Sequence, residues 1–293
     1  MAGCAGLVLA LATVPACAQE PPPAPSPAPT TSAAPSSPAP AAPAASGASQ
    51  CPRTAAQTLG WGTPTRQSDF SGTALPPDWH PYGPEPGHQK VGERTPAAIT
   101  VANGEATVKG TGDGTTGAMS WHPGQKYGRW ELCIKSDPGS LHSVVLLWPV
   151  AEDWPEGGEV DWMEISEDSR RGTDFFLHYG ANNDQESGSV RTDATQWHAW
   201  ALEWTPEKMT TYLDGREWNS TTETGHFPPR PMNMTIQLDY FGDGGDDTAM
   251  HVDWTHQWAL PESEPATLSL APGEPATGQP DLHPDRTPHK LTP

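Results

Sequence analysis

Glu159-Val160-Asp161-Trp162-Met163-Glu164 sets three carboxylates within six residues, among apolar and aromatic neighbours and with no lysine or arginine between Gly157 and Ile165. Acids in such surroundings point to chemistry, because carboxylates are rarely buried without a partner or a task. Two carboxyl groups flanking one glycosidic bond can cleave it. At about 5 to 5.5 Å apart, one acts as nucleophile and the other as acid/base, and the anomeric configuration is retained.

The element that must position these acids is a β-strand. Its side chains alternate with period two, so Glu159 and Asp161 share one face while Val160 and Trp162 share the other. Glu164 stands five residues from Glu159, an odd spacing that a regular strand would send to the opposite face. One extra residue at Trp162 or Met163, accommodated as a β-bulge, returns Glu164 to the face of the other two acids. The glutamates then span about four strand positions, roughly 13 Å along the backbone, and lean together over a concave sheet. Trp162 faces away from the acids and reads as core.

The bulged Glu-x-Asp-x-x-Glu pattern, preceded by Leu147-Trp148-Pro149 and Trp154-Pro155-Glu156-Gly157-Gly158, resembles the signature of glycoside hydrolase family 16. The resemblance continues through Phe176-Leu177-His178-Tyr179-Gly180, Trp197 to Pro206, Tyr212-Leu213-Asp214-Gly215 and Val252-Asp253-Trp254, covering roughly Trp61 to Leu260. It implies Glu159 as nucleophile, Glu164 as acid/base, and Asp161 between them orienting Glu159. Trp148 and Trp154 match aromatic positions before the motif and are expected to bind substrate, with Trp154, in an acid- and proline-rich loop, the better stacking platform for a sugar face. His178 matches a histidine that lies close to the catalytic strand. Gln237 stands where the family often has an asparagine facing the cleft.

Strands fill the rest of the middle. Trp130, Leu132 and Ile134 alternate with Arg129, Glu131, Cys133 and Lys135, and Met232, Met234, Ile236 and Leu238 alternate with Asn233, Thr235, Gln237 and Asp239. Asn103-Gly104 between two short strand patterns signals a type I′ hairpin, and Asp214-Gly215 after Met209–Leu213 signals another. No capped segment of helical periodicity competes. Many short strands separated by turn residues predict an all-β fold, a two-sheet antiparallel jelly-roll sandwich. The resemblance implies the same concanavalin A-like fold, one sheet curved into a concave substrate cleft.

Sixteen Lys and Arg stand against 36 Asp and Glu in the 293 residues, a net charge of -20. Such acidity repels nucleic acid, anionic membrane surfaces and sulfated polysaccharides, and favours a neutral polymer as partner. Residues 1–18 read as an export signal, with an apolar run from Gly6 to Val14 too short to span a bilayer. Ala16-Cys17-Ala18 resembles a signal cleavage site, and Val14-Pro15-Ala16-Cys17 a lipobox. The two readings predict secretion or a lipid anchor at Cys17, that anchor being the single expected membrane contact. Residues 19–60 are expected to be a Pro-, Ala- and Ser-rich linker, residues 61–260 the catalytic domain, and residues 261–293 a disordered tail. Cys51 and Cys133 either pair as a disulfide pinning the N-terminal edge to a sheet or remain free thiols. The run Gly242 to Asp247 fits a plain turn better than a calcium loop. No cofactor is required; the resemblance allows a structural calcium, with Asp253 among its ligands.

The expected protein is thus a monomeric, exported, retaining endo-glycosidase acting on β-linked glucan, β-1,3-glucan foremost. Two alternatives use the same sandwich: a cell-surface transglycosylase remodelling a wall or capsule polysaccharide, which passes the sugar to another sugar rather than to water, and a non-catalytic glucan-binding protein, in which loss of at least one of the three acids is expected.

Overall fold

The computed structural model describes residues 49–242 and 244–261. The expected export signal with Cys17, the linker as far as residue 48, and the tail from residue 262 lie outside the described residues. Two sheets carry the fold. One has seven strands in the spatial order Asp184–Arg191, Gly172–Tyr179, Glu159–Ile165, His142–Pro149, Met232–Asp239, Ala118–Gln125 and Trp79–Pro81. The other has eleven, with Gly128–Ser136 paired between His198–Trp204 and Thr248–Trp258 near its middle. Pairing is antiparallel throughout the described residues except where Glu93–Arg94 runs parallel to Thr115–Thr116. The expected two-sheet all-β sandwich is what the chain forms.

Alternation builds it. From the eleven-stranded sheet Trp130, Leu132, Ile134, Trp200 and Leu202 point into the core, and from the seven-stranded sheet Val145, Leu147, Val160, Leu177, Ile236 and Leu238 meet them. Both expected hairpins are present. Asn103 and Gly104 have φ of 56° and 80°, and Asp214 and Gly215 have 48° and 76°, the left-handed pair that a type I′ turn demands and that Asn-Gly and Asp-Gly tolerate.

The N-terminal boundary differs from the sequence expectation. Residues 49–60, assigned above to the linker, are built onto the outer face of the eleven-stranded sheet. Cys51 is bonded to Cys133, with Cα atoms 5.8 Å apart, and the backbone N–H of Gln50 donates to Asp253 Oδ2 at 2.9 Å. Thr54 caps the short helix Ala55–Leu59, accepting the Gln57 N–H, and the free amides of Ala55 and Ala56 donate to the buried Glu131 carboxylate at 2.5 and 3.1 Å. Glu131 and Cys133 occupy the non-core side of their strand as parity requires, yet both are 0 % exposed, because this segment covers them.

Candidate active site

The strand Glu159–Ile165 is bulged where the acid spacing requires it. Against its neighbour His142–Pro149, Met163 pairs with Val145 and Asp161 with Leu146, so Trp162 is the unmatched residue. The other neighbour shows the same slip, Asp161 opposite Phe176 and Glu164 opposite Asp174. Trp162 and Met163 are consecutive, yet both are buried in the core with Val160 and Ile165. Glu159, Asp161 and Glu164 thereby face one cleft. An apolar core on one side of the strand and acids on the other fix this register, since the alternative would bury Glu164 among Trp162, Leu177 and Ile236.

The cleft has a volume of about 730 Å³ and crosses the sheet from Gln185 and His178 past the strand Glu159–Ile165 to Gln237, Asp239 and Tyr82. All seven residues proposed from sequence line it: Glu159, Asp161, Glu164, Trp148, Trp154, His178 and Gln237. Trp154 is 42 % exposed, and its ring lies nearly parallel to that of Trp148, 13° between planes and 6.4 Å between centroids. Glu152 accepts the Trp148 Nε1–H at 2.9 Å and so fixes that indole. His178 Nδ1 bonds Asn183 Oδ1 at 2.8 Å, and Nε2 lies 3.3 Å from Asp161 Oδ2. Gln237 Nε2 donates to Asp239 Oδ2 at 2.8 Å, while Arg94 holds the other oxygen of Asp239 at 2.7 Å.

Burial dominates the electrostatics. It pushes the Asp161 carboxyl well above the usual range, and the charges of Glu164 and Asp239 push the same way. Glu159 is raised by burial and then by Asp161, with His178 and Trp154 opposing. Asp174, across the ladder from Glu164, is raised by burial and by the Glu164 charge. Asp161, the most enclosed of the three acids, thus favours its protonated form more than an exposed carboxyl does.

Several lining residues escaped sequence reasoning. Asp239 was readable in principle, because it follows Gln237 by two positions on an alternating strand. Tyr82, just past the strand Trp79–Pro81, and Arg94, in the short strand Glu93–Arg94, carry no signal in their own neighbourhoods, and neither does His142, which stands outside this lining with its Nδ1 3.3 Å from Glu164 Oε1. One donor atom from each of Glu159, Asp161 and His178 lies within 4.8 Å of the others, close enough to hold a metal ion. Asp253, the residue named above for a structural calcium, accepts the Gln50 amide N–H through Oδ2, and Glu105 and Asp137 both engage His251.

With this geometry in view, a family model for glycosyl hydrolases family 16 matches residues 89–259, more than half of the chain. The chain is 26 % identical over 193 residues to a β-glucanase of Rhodothermus marinus, covering 60 % of this chain and 57 % of that protein. It is 25 % identical over 213 residues to a Crh-like protein of Arthroderma benhamiae, covering 67 % and 39 %. The chain thus spans less than two thirds of the length of either relative. The laminarinase catalytic domain of Thermotoga maritima MSB8 has a similar fold, with a TM-score of 0.59 at 16 % identity over 67 % of this chain and 98 % of that one. An endo-β-1,3-glucanase from Pyrococcus furiosus gives 0.58 at 17 % identity over 67 % and 94 %.

Proposed function

The chain belongs to the glycosyl hydrolases of family 16, and from that membership and the cleft we propose that it hydrolyses a β-linked glucan, β-1,3-glucan foremost, with retention at the anomeric carbon. The observation that carries this reading is the bulge at Trp162, which turns three acids toward one cleft. Glu164 gives its proton to the glycosidic oxygen while Glu159 attacks the anomeric carbon, so the leaving sugar departs as an alcohol and the other half stays as an ester on Glu159. Glu164, now a carboxylate, takes a proton from water; the resulting hydroxide equivalent attacks the same carbon and frees Glu159. Asp161, whose proton affinity burial and its acidic neighbours raise, hydrogen-bonds and orients Glu159, and in its protonated form spares that buried carboxylate a second adjacent charge. His178, tied by Asn183, holds Asp161 from the other side.

The lining supports a neutral polymer. Glu85, Glu152, Glu159, Asp161, Glu164 and Asp239 face the cleft against Arg94 as its sole fixed cation among the described residues, and Arg94 is already paired with Asp239. A sulfated chain would be repelled. Trp148 and Trp154 supply the aromatic surface for sugar rings at the Glu159 end. The Cys51–Cys133 bridge favours an oxidising compartment, in keeping with secretion or a lipid anchor at Cys17; the mass of the mature N-terminus distinguishes the two.

The test is reducing-sugar release from laminarin, mixed-linkage glucan, agarose and carrageenan by the wild type and by Glu159→Gln, with NMR of the first-formed anomer. Release from a β-glucan as the β-anomer, lost in Glu159→Gln, is the expected outcome. First-formed α-anomer, or undiminished activity in the variant, would refute the assignment of Glu159. An added oligosaccharide acceptor reads out the transfer alternative: products longer than the donor would make the chain a transglycosylase.

A further inference from the structure

A second cavity opens beyond the Glu164 end of the catalytic strand. It has a volume of about 410 Å³ and is lined by Ser140, Ser166, Asp168, Tyr240 and Asp246, and by His142 and Phe241, which also belong to the cleft wall or touch it. Its place in the fold is informative. The main cleft draws its lining from neighbouring strands and so runs across them, whereas Glu159 to Glu164 runs along one strand. Ser166 and Asp168 follow that strand's end at Ile165, Ser140 precedes the antiparallel neighbour that starts at His142, and Tyr240 follows the strand ending at Asp239. The cavity therefore lies to the side of a chain lying in the cleft, level with the bond to be broken. A linear polymer passes it by; a substituent on one sugar reaches into it.

Its lining says what that substituent is. Two carboxylates, Asp168 and Asp246, and two serine hydroxyls offer acceptors with no lysine or arginine lining the cavity among the described residues, which suits a neutral polyhydroxylated group and disfavours sulfate or carboxylate. Phe241 is 43 % exposed at the junction of the two cavities, its ring held between His142 at 4.3 Å and His88 at 4.6 Å between centroids. An apolar ring fixed in a polar wall gives the C–H face of a sugar a surface to cover. The walls are braced: Ser140 Oγ donates to the Asp246 carbonyl at 3.2 Å, and the Gly244 N–H donates to the Tyr240 hydroxyl at 3.1 Å.

We infer that this side cavity binds a single-hexose branch on the glucan backbone, so that the enzyme prefers a branched β-glucan to an unbranched one. The inference rests on the β-glucanase reading of the main cleft. It is tested by kcat/KM on a β-1,3-glucan bearing single-glucose β-1,6 branches and on its unbranched counterpart, for the wild type, for Asp168→Ala, which removes an acceptor, and for Ser166→Trp, which fills the cavity from its rim. The wild type should favour the branched polymer; Asp168→Ala should lower the branched-to-unbranched ratio about tenfold, the loss expected for a hydrogen bond to a charged acceptor, and Ser166→Trp should lower it by blocking the branch. Ratios within twofold of the wild-type value in both variants, or a wild type that cleaves only the unbranched chain, would overturn the inference and leave the glucanase reading standing. A folded wild type that cleaves neither polymer would overturn both.

Discussion

Replacing Glu131 by Gln tests how the N-terminal segment is attached. Glu131 is enclosed between the sheet and residues 54–61, and burial, with a contribution from the Asp214 charge, raises its carboxyl from the ordinary 4.5 to about 7 despite the two amide hydrogen bonds that favour its anion. The folded protein therefore holds a proton that the unfolded chain has released between those values. Stability from this group is fully present below about pH 4.5 and is lost as pH rises through about 7. At about 1.4 kcal/mol for each pH unit, the interval from 4.5 to about 7 makes about 3 kcal/mol. The amide of Gln keeps one acceptor for the helix N–H groups and has no charge to bury, so its stability lacks this slope. Urea unfolding of both proteins at steps from pH 4.5 to 8 gives the difference, wild type minus Glu131→Gln, in which the other titrating groups cancel. That difference should fall by about 3 kcal/mol across the range, equivalent to roughly 6 to 12 °C in Tm for a domain of this size. A flat difference, or one that rises with pH, would refute the argument.

Further outcomes follow from the same structure. Deleting Trp162 removes the bulge and turns Glu164 toward the core, so both activity and cooperative unfolding in urea should be lost, since an uncompensated buried carboxylate costs several kcal/mol. Asp161→Asn should raise Tm relative to wild type at pH 8 and little at pH 4, because burial leaves the native Asp161 proton-binding and its ionisation costs stability as pH rises; kcat should fall at least roughly tenfold in the same protein. Cys51→Ser releases a bridge between residues 82 apart, for which chain entropy gives about 4.5 kcal/mol, so the unfolding free energy should drop by most of that amount and the denaturant midpoint with it. A midpoint unchanged by dithiothreitol in the wild type would contradict it.

The reach of sequence reasoning here can be traced residue by residue. The spacing of Glu159 and Glu164 forced a bulge because parity admits no other way to place both on one face, and the register slip at Trp162 is that bulge. Parity also placed Gln237 correctly, and local turn chemistry placed both hairpins. It fell short at residues 49–60: the Cys51–Cys133 pairing was one of the two readings the cysteines allowed, but nothing in the run itself shows that Gln50 is held by Asp253 and Ala55 by Glu131, far along the chain. Glu131 was placed on the polar side of its strand, correctly, but the polar side of a strand is solvent only if nothing lies over it. The walls of the cleft failed for a related reason. Arg94 meets Asp239 across 145 positions of sequence, and no pattern within either stretch announces the other.

The anchoring of Gln50 and Cys51 to the outer face of the eleven-stranded sheet also sets an orientation. The acids open on the outer face of the opposite sheet, so the chain enters at the back of the sandwich and the catalytic mouth looks the other way. A bead or a fusion partner joined directly at this end therefore sits behind the sandwich and leaves the mouth uncovered to polymer.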